Sequence, residues 1–470
     1  MTRPTLLLLA ILGHATLSAQ DSIVLPRAAV VRMVIENHPI ARQAALRTAM
    51  GEATVQSARG GFDPLLSASY DNKEYDDKEY YALFDAGLKV PTWYGVELLG
   101  GYALNDGQQL DPMDVTPSDG LLKAGVSVTV GQGLFIDQRR ATLQRARAFQ
   151  QVAEGERRQL LNSILFQALS DHADWTAAYA SLGVAREGVE LTRTRYEAVK
   201  GSWRGGDRPA IDTLEAFLQL QDRQLREQQA ELAFRNAGLR LANHLWDPQL
   251  RPLELAPTTR PDERELYAAG LDLPSDTLVG FAQREHPSLL QASARIDQFE
   301  VDRRLRAELL KPTLDVKYLF LGDGAALSDP IEGSLLGDGQ QLGVGFRMPL
   351  LLRRERGELS LARLRLTEAQ LGLERDRLVV GNRVRERLNE VTTLRAQVDL
   401  GASAVRNYRG LLNGESQRFA AGESSLFLVN VREVSLLEER LRQVDREVRL
   451  TKAHFAVQQE AGVLWSAYAR

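Results

Sequence analysis

The chain has 470 residues, of which 44% are hydrophobic and 26% are charged, and its formal net charge is −4. These are the proportions of a folded protein, and without an excess of basic residues they give no support to a nucleic-acid partner. The chain contains no cysteine, which excludes disulfides, thiolate chemistry and a lipidated cysteine as membrane anchor.

Residues 1–19 have the pattern of a signal peptide. Arg3 gives a positive start, an apolar run extends from Leu6 to Gly13, and small residues lead to a predicted cleavage site after Ala19. The apolar run is far shorter than the ~20 residues that a membrane-spanning helix needs. No later stretch is apolar over such a length, so we predict an exported chain without a spanning helix.

Two landmarks near the start of the chain recur in its second half, which indicates an internal repeat. They are a His-Pro pair, predicted to break a short helix, and a second proline at the end of the following helix. They stand at His38-Pro39 and Pro64, and 248 residues later at His286-Pro287 and Pro312.

Two further landmarks recur at an offset of 216 residues. One is an apolar corner, Gly133-Leu134-Phe135 and later Pro349-Leu350-Leu351, and the other is a glycine-containing tip, Trp203-Arg204-Gly205-Gly206 and later Phe419-Ala420-Ala421-Gly422. The difference between the two offsets means that the first half carries 32 additional residues between Pro64 and Leu134. Five prolines between residues 248 and 274 prevent a continuous helix there. We therefore predict a first repeat over 20–246, a Pro-rich equatorial linker over 247–276 and a second repeat over 277–470.

Short segments after each proline landmark alternate with a period of two, which predicts strands over about 64–130 and about 313–348. In the second half Leu314, Val316 and Tyr318 lie opposite Asp315 and Lys317. Such a sheet has one apolar and one polar face. It can cover a soluble core, or it can form a barrel with lipid outside and water inside. The barrel is favoured because the helical flanks offer no separate core layer.

The additional block in the first half alternates in the same way. It predicts two more strands, at 83–90 and 96–104, between strands at 64–72 and 121–130. Long acidic loops at about 73–82 and 105–120 would then lie on one side and a short turn at 91–95 on the other, as in outer-membrane barrels. An extracellular loop folded over the pore is the alternative, and the sequence does not separate the two.

Two very long helices follow the strands. No proline interrupts Gln138 to Arg204 or Arg354 to Ala420, and apolar residues recur at spacings of three and four along both stretches. Each ends at a glycine and is followed by a second helix, as glycine after a helix end and proline at the next start indicate. The sequence thus predicts two helical coiled-coil hairpins, over about 138–246 and about 354–466.

The sequence contains no motif typical of catalysis or of metal or phosphate binding. Its six histidines are scattered without a zinc-binding spacing, and there is no phosphate-binding glycine loop and no serine nucleophile motif. We predict no catalytic residue, no metal and no cofactor.

The helix break, the strand-to-helix corner and the hairpin tip occur in the same order in both halves of the chain. Together these motifs resemble the TolC-like outer-membrane efflux protein family over essentially the whole mature chain. The resemblance is carried by the helix breaks Pro39 and Pro287, the strand-to-helix corners Gly133, Leu134, Phe135, Pro349 and Leu350, and the hairpin tips Trp203, Arg204, Gly205, Gly206, Phe419, Ala420, Ala421 and Gly422.

The resemblance implies an α+β membrane protein in which a homotrimer shares one outer-membrane β-barrel, continuous with a long α-helical coiled-coil barrel in the periplasm. Members are exit ducts of tripartite export systems in Gram-negative bacteria. They pass drugs, metals or secreted protein, and they contact outer-membrane lipid, a periplasmic adaptor at the hairpin tips and an inner-membrane pump of RND or ABC type. They perform no catalytic step. The additional block would decorate the usual twelve-stranded barrel or widen it to eighteen strands.

The sequence departs from the family at the entrance, where acidic side chains just past the tip glycine narrow the opening. Asp212 and Glu215 occupy these positions in the first half, but Leu428 and Val431 occupy them in the second. A periplasmic aperture would therefore depend on Asp212 and Glu215, which are equally ordinary as surface residues of a helix. A periplasmic coiled-coil adaptor or scaffold without a pore is the alternative function.

Overall fold

The computed structural model describes residues 23–267, 275–323 and 339–468, so the predicted signal peptide lies outside the described residues. The first half contains α1 (Arg27–Asn37), α2 (Pro39–Arg59), β2 (Leu65–Tyr75), β3 (Lys78–Pro91), β4 (Val96–Asp106), β5 (Leu121–Gly131), α3 (Gln138–Arg204) and α4 (Ala210–Ala242). The second contains α5 (Ser275–Glu285), α6 (Pro287–Glu308), β7 (Thr313–Asp323), β8 (Gly339–Arg347), α7 (Arg353–Ala420), α8 (Leu426–Glu460) and α9 (Leu464–Tyr468). A short parallel pair joins β1 (Val24–Leu25) to β6 (Arg260–Pro261) in the region between the halves.

The long helices form two hairpins that lie side by side. Helix α3 packs against α4, α7 packs against α8, and α3 also contacts α8. The helices therefore lie side by side in one layer, which we call the wall, and the order across this part of it is α4-α3-α8-α7. Nearer the sheet, α2 packs on α3, α3 on α6, and α6 on α7. Helix α3 has 67 residues, which corresponds to ~100 Å at 1.5 Å per residue.

Apolar seams inside the wall hold the helices together. One core cluster packs Leu165, Leu169 and Trp175 of α3 against Leu241 of α4, with Val34 of α1 in the same cluster. A second cluster joins α7 to α8 and contains Val384, Val391 and Val398, which follow one another at the seven-residue spacing of a coiled coil. Each such buried side chain contributes ~1.5–3 kcal/mol relative to an exposed one.

The strands form one six-stranded antiparallel sheet with the order β2-β3-β4-β5-β7-β8. The additional block is therefore part of the sheet, as β3 and β4 between β2 and β5, and it is not a loop folded over the other strands. The two halves of the chain meet where β5 pairs with β7, with Val126 opposite Tyr318. The register keeps the apolar residues of neighbouring strands on the same face.

One predicted loop is wrong. The sequence predicts a long acidic loop over 73–82, but β2 continues to Tyr75 and β3 begins at Lys78, so Asp76 and Asp77 alone make the turn. Both have positive φ, 58° and 51°, as a type I′ hairpin turn requires. Aspartate tolerates this backbone conformation better than most residues do. The acidic composition thus marked a tight turn within a longer hairpin.

Candidate functional site

The sheet has an apolar face that no other layer of the described chain covers. Leu66 on β2 is 75% exposed and Phe346 on β8 is 69% exposed, although both lie within strands. The register aligns Leu66 with Leu88 and Phe346 with Leu314, so the apolar side chains run across the whole sheet. A soluble sheet would pack such a face against a second layer. The exposed face is therefore a surface that needs an apolar environment from outside the chain.

The opposite face of the sheet is polar and its charges are paired across strands. The Nζ of Lys123 on β5 lies 3.1 Å from the Oδ2 of Asp85 on β3, and the hydroxyl of Thr129 donates to Asp315 on β7 at 2.7 Å. Ions paired in this way, with partly exposed side chains, suit a surface in contact with water. The two faces thus differ in the solvent that they require.

Aromatic residues lie at both ends of the strands. Tyr75 and Tyr80 contact each other beside the Asp76-Asp77 turn, with ring centroids 6.4 Å apart. At the opposite end, Trp93 in the β3–β4 turn contacts Phe62, and the neighbouring Tyr94 is exposed. Tyrosine and tryptophan at both ends of an apolar band are typical of the interfaces of membrane β-proteins.

The predicted strand-to-helix corners lie at this second end of the sheet. Gly133 has φ of +88°, which only glycine adopts without strain, and Leu134 and Phe135 follow with exposed side chains. The carboxylate of Asp137 accepts the backbone N–H of Arg140 at 2.8 Å and so caps α3. In the second half, Pro349 precedes Leu350, which is 92% exposed just before α7.

The helix breaks at Pro39 and Pro287 share one construction. Each proline is the first residue of its helix, and the preceding histidine is the N-cap. The Nδ1 of His38 accepts the backbone N–H of Ile40 at 3.1 Å, and the Nδ1 of His286 accepts that of Ser288 at 3.2 Å.

Both capping histidines are held neutral by their surroundings. Burial lowers the pKa of His286 to about 4, with the charge of Arg383 as the second cause. Burial and the neighbouring His244 likewise lower the pKa of His38. The neutral ring keeps the lone pair on Nδ1 that the cap requires.

The two hairpin tips have the same backbone motif and lie against each other. Gly206 and Gly422 have φ of +82° and +79°, and each follows a helix that ends in a Schellman arrangement. The guanidinium of Arg208 lies 4.6 Å from the ring centroid of Phe419 on the other hairpin. Side chains from both hairpins share a small apolar cluster with Val199, Ala216 and Leu426 at its centre.

The predicted aperture residues lie on the first turns of α4. The Oδ2 of Asp212 is 3.5 Å from Arg208, and Glu215, one turn further on, is partly exposed. At the matching positions of the second hairpin, Leu428 and Val431 are exposed on α8, next to the more exposed Phe427. The structure thus places a charged and an apolar surface at corresponding points behind the two tips.

Sequence reasoning missed a buried ion pair between the hairpins. Glu433 of α8 is almost fully buried and pairs with Arg195 of α3, and it also accepts the hydroxyl of Thr192 at 3.1 Å. The amide oxygen of Asn430 accepts a second bond from Arg195 at 2.7 Å. No sequence pattern identifies this network because its members come from two distant helices.

Sequence reasoning also missed an apolar stripe on the outer side of α4, although its signal was present. Ile211, Leu218, Leu225, Leu232 and Leu239 are each seven residues apart and are 56–66% exposed. On α7, at the other edge of the wall, Leu364, Leu371 and Leu378 repeat the spacing and are 60–67% exposed. A strict seven-residue repeat of exposed leucines indicates a helix partner outside the chain.

Within the described parts of the chain, no group of three or more His, Asp or Glu side chains could hold a metal ion. The same residues include no helix that combines the length and the apolar character needed to cross a membrane.

Part of the chain matches a known sequence family. Residues 278–463 match the sequence model described as outer membrane efflux protein. No curated protein sequence is detectably similar to the chain.

The fold has close counterparts among solved structures. The Campylobacter jejuni CmeC outer membrane channel is 14% identical with a TM-score of 0.63, over 93% of this chain and 86% of that one. The outer membrane protein VceC of Vibrio cholerae is 14% identical with a TM-score of 0.63, over 93% and 96%. The Neisseria gonorrhoeae MtrE outer membrane channel, solved in its open state, is 12% identical with a TM-score of 0.64, over 95% and 93%. The resemblance drawn from the sequence motifs is confirmed.

Proposed function

We propose that this chain, whose residues 278–463 match the sequence model described as outer membrane efflux protein, is the outer-membrane exit duct of an export system. The observation that carries the proposal is the sheet with its uncovered apolar face. Five of its six strands have 11 to 14 residues, and a transmembrane β-strand needs ~9–11. Lipid would cover the apolar face, and the polar face would line a water-filled passage.

A single copy is an open wall, and its two edges support closure by further copies. In the described sheet β2 and β8 are the outermost strands, and α4 and α7 are the outermost long helices. Both helices carry an exposed leucine stripe. Because an even number of strands alternates in direction, β8 of one copy would meet β2 of the next in antiparallel pairing. We propose the homotrimer that the family resemblance implies.

The duct works without a chemical step. The helical hairpins would extend through the periplasm, and their tips, with Trp203, Gly206, Phe419 and Gly422, would contact a periplasmic adaptor. Asp212 and Glu215 would line the entrance. An inner-membrane pump of RND or ABC type supplies the driving force, and we assign the choice of cargo, whether small molecules, metals or secreted protein, to the pump and adaptor.

The alternative, a periplasmic adaptor or scaffold without a pore, does not explain the sheet. A water-soluble scaffold would expose Leu66, Leu342, Val344 and Phe346 to solvent over a continuous surface. Contiguous exposed apolar surface of this kind marks a membrane or protein contact.

Purification from membranes tests the proposal. We expect extraction only with detergent, an oligomer that migrates faster when unheated, and ion conductance in planar bilayers. A monomer that is soluble without detergent and shows no conductance would contradict it.

Closure of the wall by further copies of the chain is tested separately, by introducing a charged residue into the leucine stripe of α4. Leu232→Glu places a carboxylate in the α4 contact and should abolish the trimer on native gels. Ala233→Glu, exposed on the same helix but outside the seven-residue register, is the matched control and should leave it intact.

A further inference from the structure

The described sheet has six strands, whereas the helical layer next to it consists of four helices. Four helices continue directly into strands or out of them: α2 leads into β2, β5 into α3, α6 into β7, and β8 into α7. The order β2-β5-β7-β8 in the sheet matches the order α2-α3-α6-α7 in the wall. Strands β3 and β4 are inserted between the first two of these connections and have no helix of their own.

The inserted hairpin is fixed in line with the rest of the sheet. Val90 of β3 pairs with Leu98 of β4, and Leu98 pairs with Val126 of β5. Its turn is anchored at the corner of the wall, where Trp93 lies 5.4 Å from Phe62 between ring centroids and Glu97 accepts a hydrogen bond from Arg139 at 2.8 Å. The hairpin is thus paired on both sides and tied down at its turn.

The widths of the two layers follow from ordinary spacings. Four helices packed ~8–10 Å apart occupy roughly 32–40 Å of circumference. Strands ~4.8 Å apart and tilted by ~40° occupy ~6.3 Å each, so six of them cover roughly 38 Å and four would cover only roughly 25 Å. With β3 and β4 included, sheet and helical wall have the same width.

We propose that three copies form an eighteen-stranded barrel as wide as the helical tube, so that the duct keeps its bore across the membrane. The inference rests on the proposed trimeric duct and concerns its width. Its backbone diameter would be roughly 36 Å, against roughly 24 Å for twelve strands. Barrels of this strand number enclose an open aqueous channel. The size limit for cargo then lies at the hairpin tips, because the membrane segment is as wide as the helical tube.

The absence of native cysteine allows single spin labels in the full-length protein, reconstituted in liposomes. Leu88→Cys and Lys89→Cys report on β3, and Val316→Cys and Lys317→Cys are the matched pair on β7. If β3 is a barrel strand, both pairs should alternate: the first label of each is accessible to oxygen in the lipid, the second to a nickel chelate in water. Alternation on β7 without alternation on β3 would overturn the wide barrel and leave the duct standing. No alternation on either strand would overturn the duct itself.

Distances between equivalent labels measure the width directly and do not depend on whether the tips are open. In a three-fold trimer, the Cα atom of residue 128 on β5 should be roughly 31 Å from its copies in an eighteen-stranded barrel and roughly 21 Å in a twelve-stranded one. Double electron–electron resonance covers this range. A label at Val128→Cys lies outside the backbone circle and a label at Ser127→Cys lies inside it, so the mean of the two measured distances gives the backbone value. A mean near the smaller value would overturn the proposal.

Discussion

The two hairpin tips have the same backbone and different chemistry. Both long helices end in the same Schellman turn at a glycine with positive φ, and both return helices begin four residues later. Helix α4 then carries Asp212 in its first turn, whereas α8 has no acidic residue there and exposes Phe427 and Leu428. The turn is fixed by the geometry of a tight reversal, while the side chains beyond it are free to take different roles.

The largest expected effect concerns the ion pair that joins the two hairpins behind these tips. Arg195→Met leaves Glu433 buried without its partner, which should cost ~3–5 kcal/mol of unfolding free energy. Urea unfolding followed by helical circular dichroism measures it. The control is Arg193→Met, which removes an exposed pair with Glu190 and should change stability by less than ~1 kcal/mol. Equal effects of the two changes would show that the hairpins are not held together by this pair.

A smaller effect tests whether the tips are equivalent as backbone. Gly206→Ala and Gly422→Ala each place a Cβ in the left-handed region and should each cost ~1–2 kcal/mol. Gly205→Ala, at φ of −76°, should cost little and serves as the control. Thermal unfolding of the three variants gives the comparison. A tip that tolerates alanine would have a backbone different from that of its counterpart.

The helix breaks at His38-Pro39 and His286-Pro287 allow the two halves to be compared by the pH dependence of stability. His286 has a folded-state pKa of about 4, below the ~6.5 of an unfolded histidine, so the unfolded chain takes up the proton first. The stabilisation is complete above pH ~6.5 and is lost as pH falls towards 4. His286→Asn keeps a capping side chain without a titrating ring and should flatten this part of the pH profile. His38→Asn should act in the same direction, and unchanged profiles in both variants would contradict the role of the neutral caps.

The smallest expected effect lies at the charged tip. Asp212→Asn with Glu215→Gln should lower the preference for cations over anions in planar bilayers by roughly threefold. This corresponds to a change of less than ~1 kcal/mol in the free energy of ion selectivity. Leu428→Gln on the opposite hairpin is the control. Unchanged selectivity and unchanged block by divalent cations would remove the aperture role of these acids.

The regular elements could be predicted because their signals are local. The proline-free stretch from Gln138 to Arg204 is one helix, and the alternation from Leu314 to Phe320 is one strand. The turn at Asp76-Asp77 was misjudged because acidic composition suggested a loop, while the backbone tolerance of aspartate allowed a two-residue reversal. Contacts between distant segments, such as Arg195 with Glu433, depend on which helices become neighbours and leave no trace in spacing.

The predicted site residues are positioned by the same local signals, but the roles proposed for them depend on other copies and partners. Gly206 and Gly422 could be identified because a helix reversal needs positive φ. The leucine stripe from Ile211 to Leu239 was readable as a seven-residue repeat, yet its meaning became evident only when the packing left it uncovered. A pattern indicates that a surface exists, and the fold decides whether the chain itself fills it.

The junction of β5 with β7 also imposes an order on biogenesis. Thr129 and Asp315 are bonded across it although 186 residues separate them in the chain. During synthesis, β5 therefore stays an open edge strand until α3, α4 and α6 have been made, and open apolar edges are sites of aggregation. Long-range strand pairing is also slow because the intervening loop must close first. Until β7 has been made, the first four strands therefore lack the partner of β5, and the open edge of β5 is most exposed to aggregation in that interval.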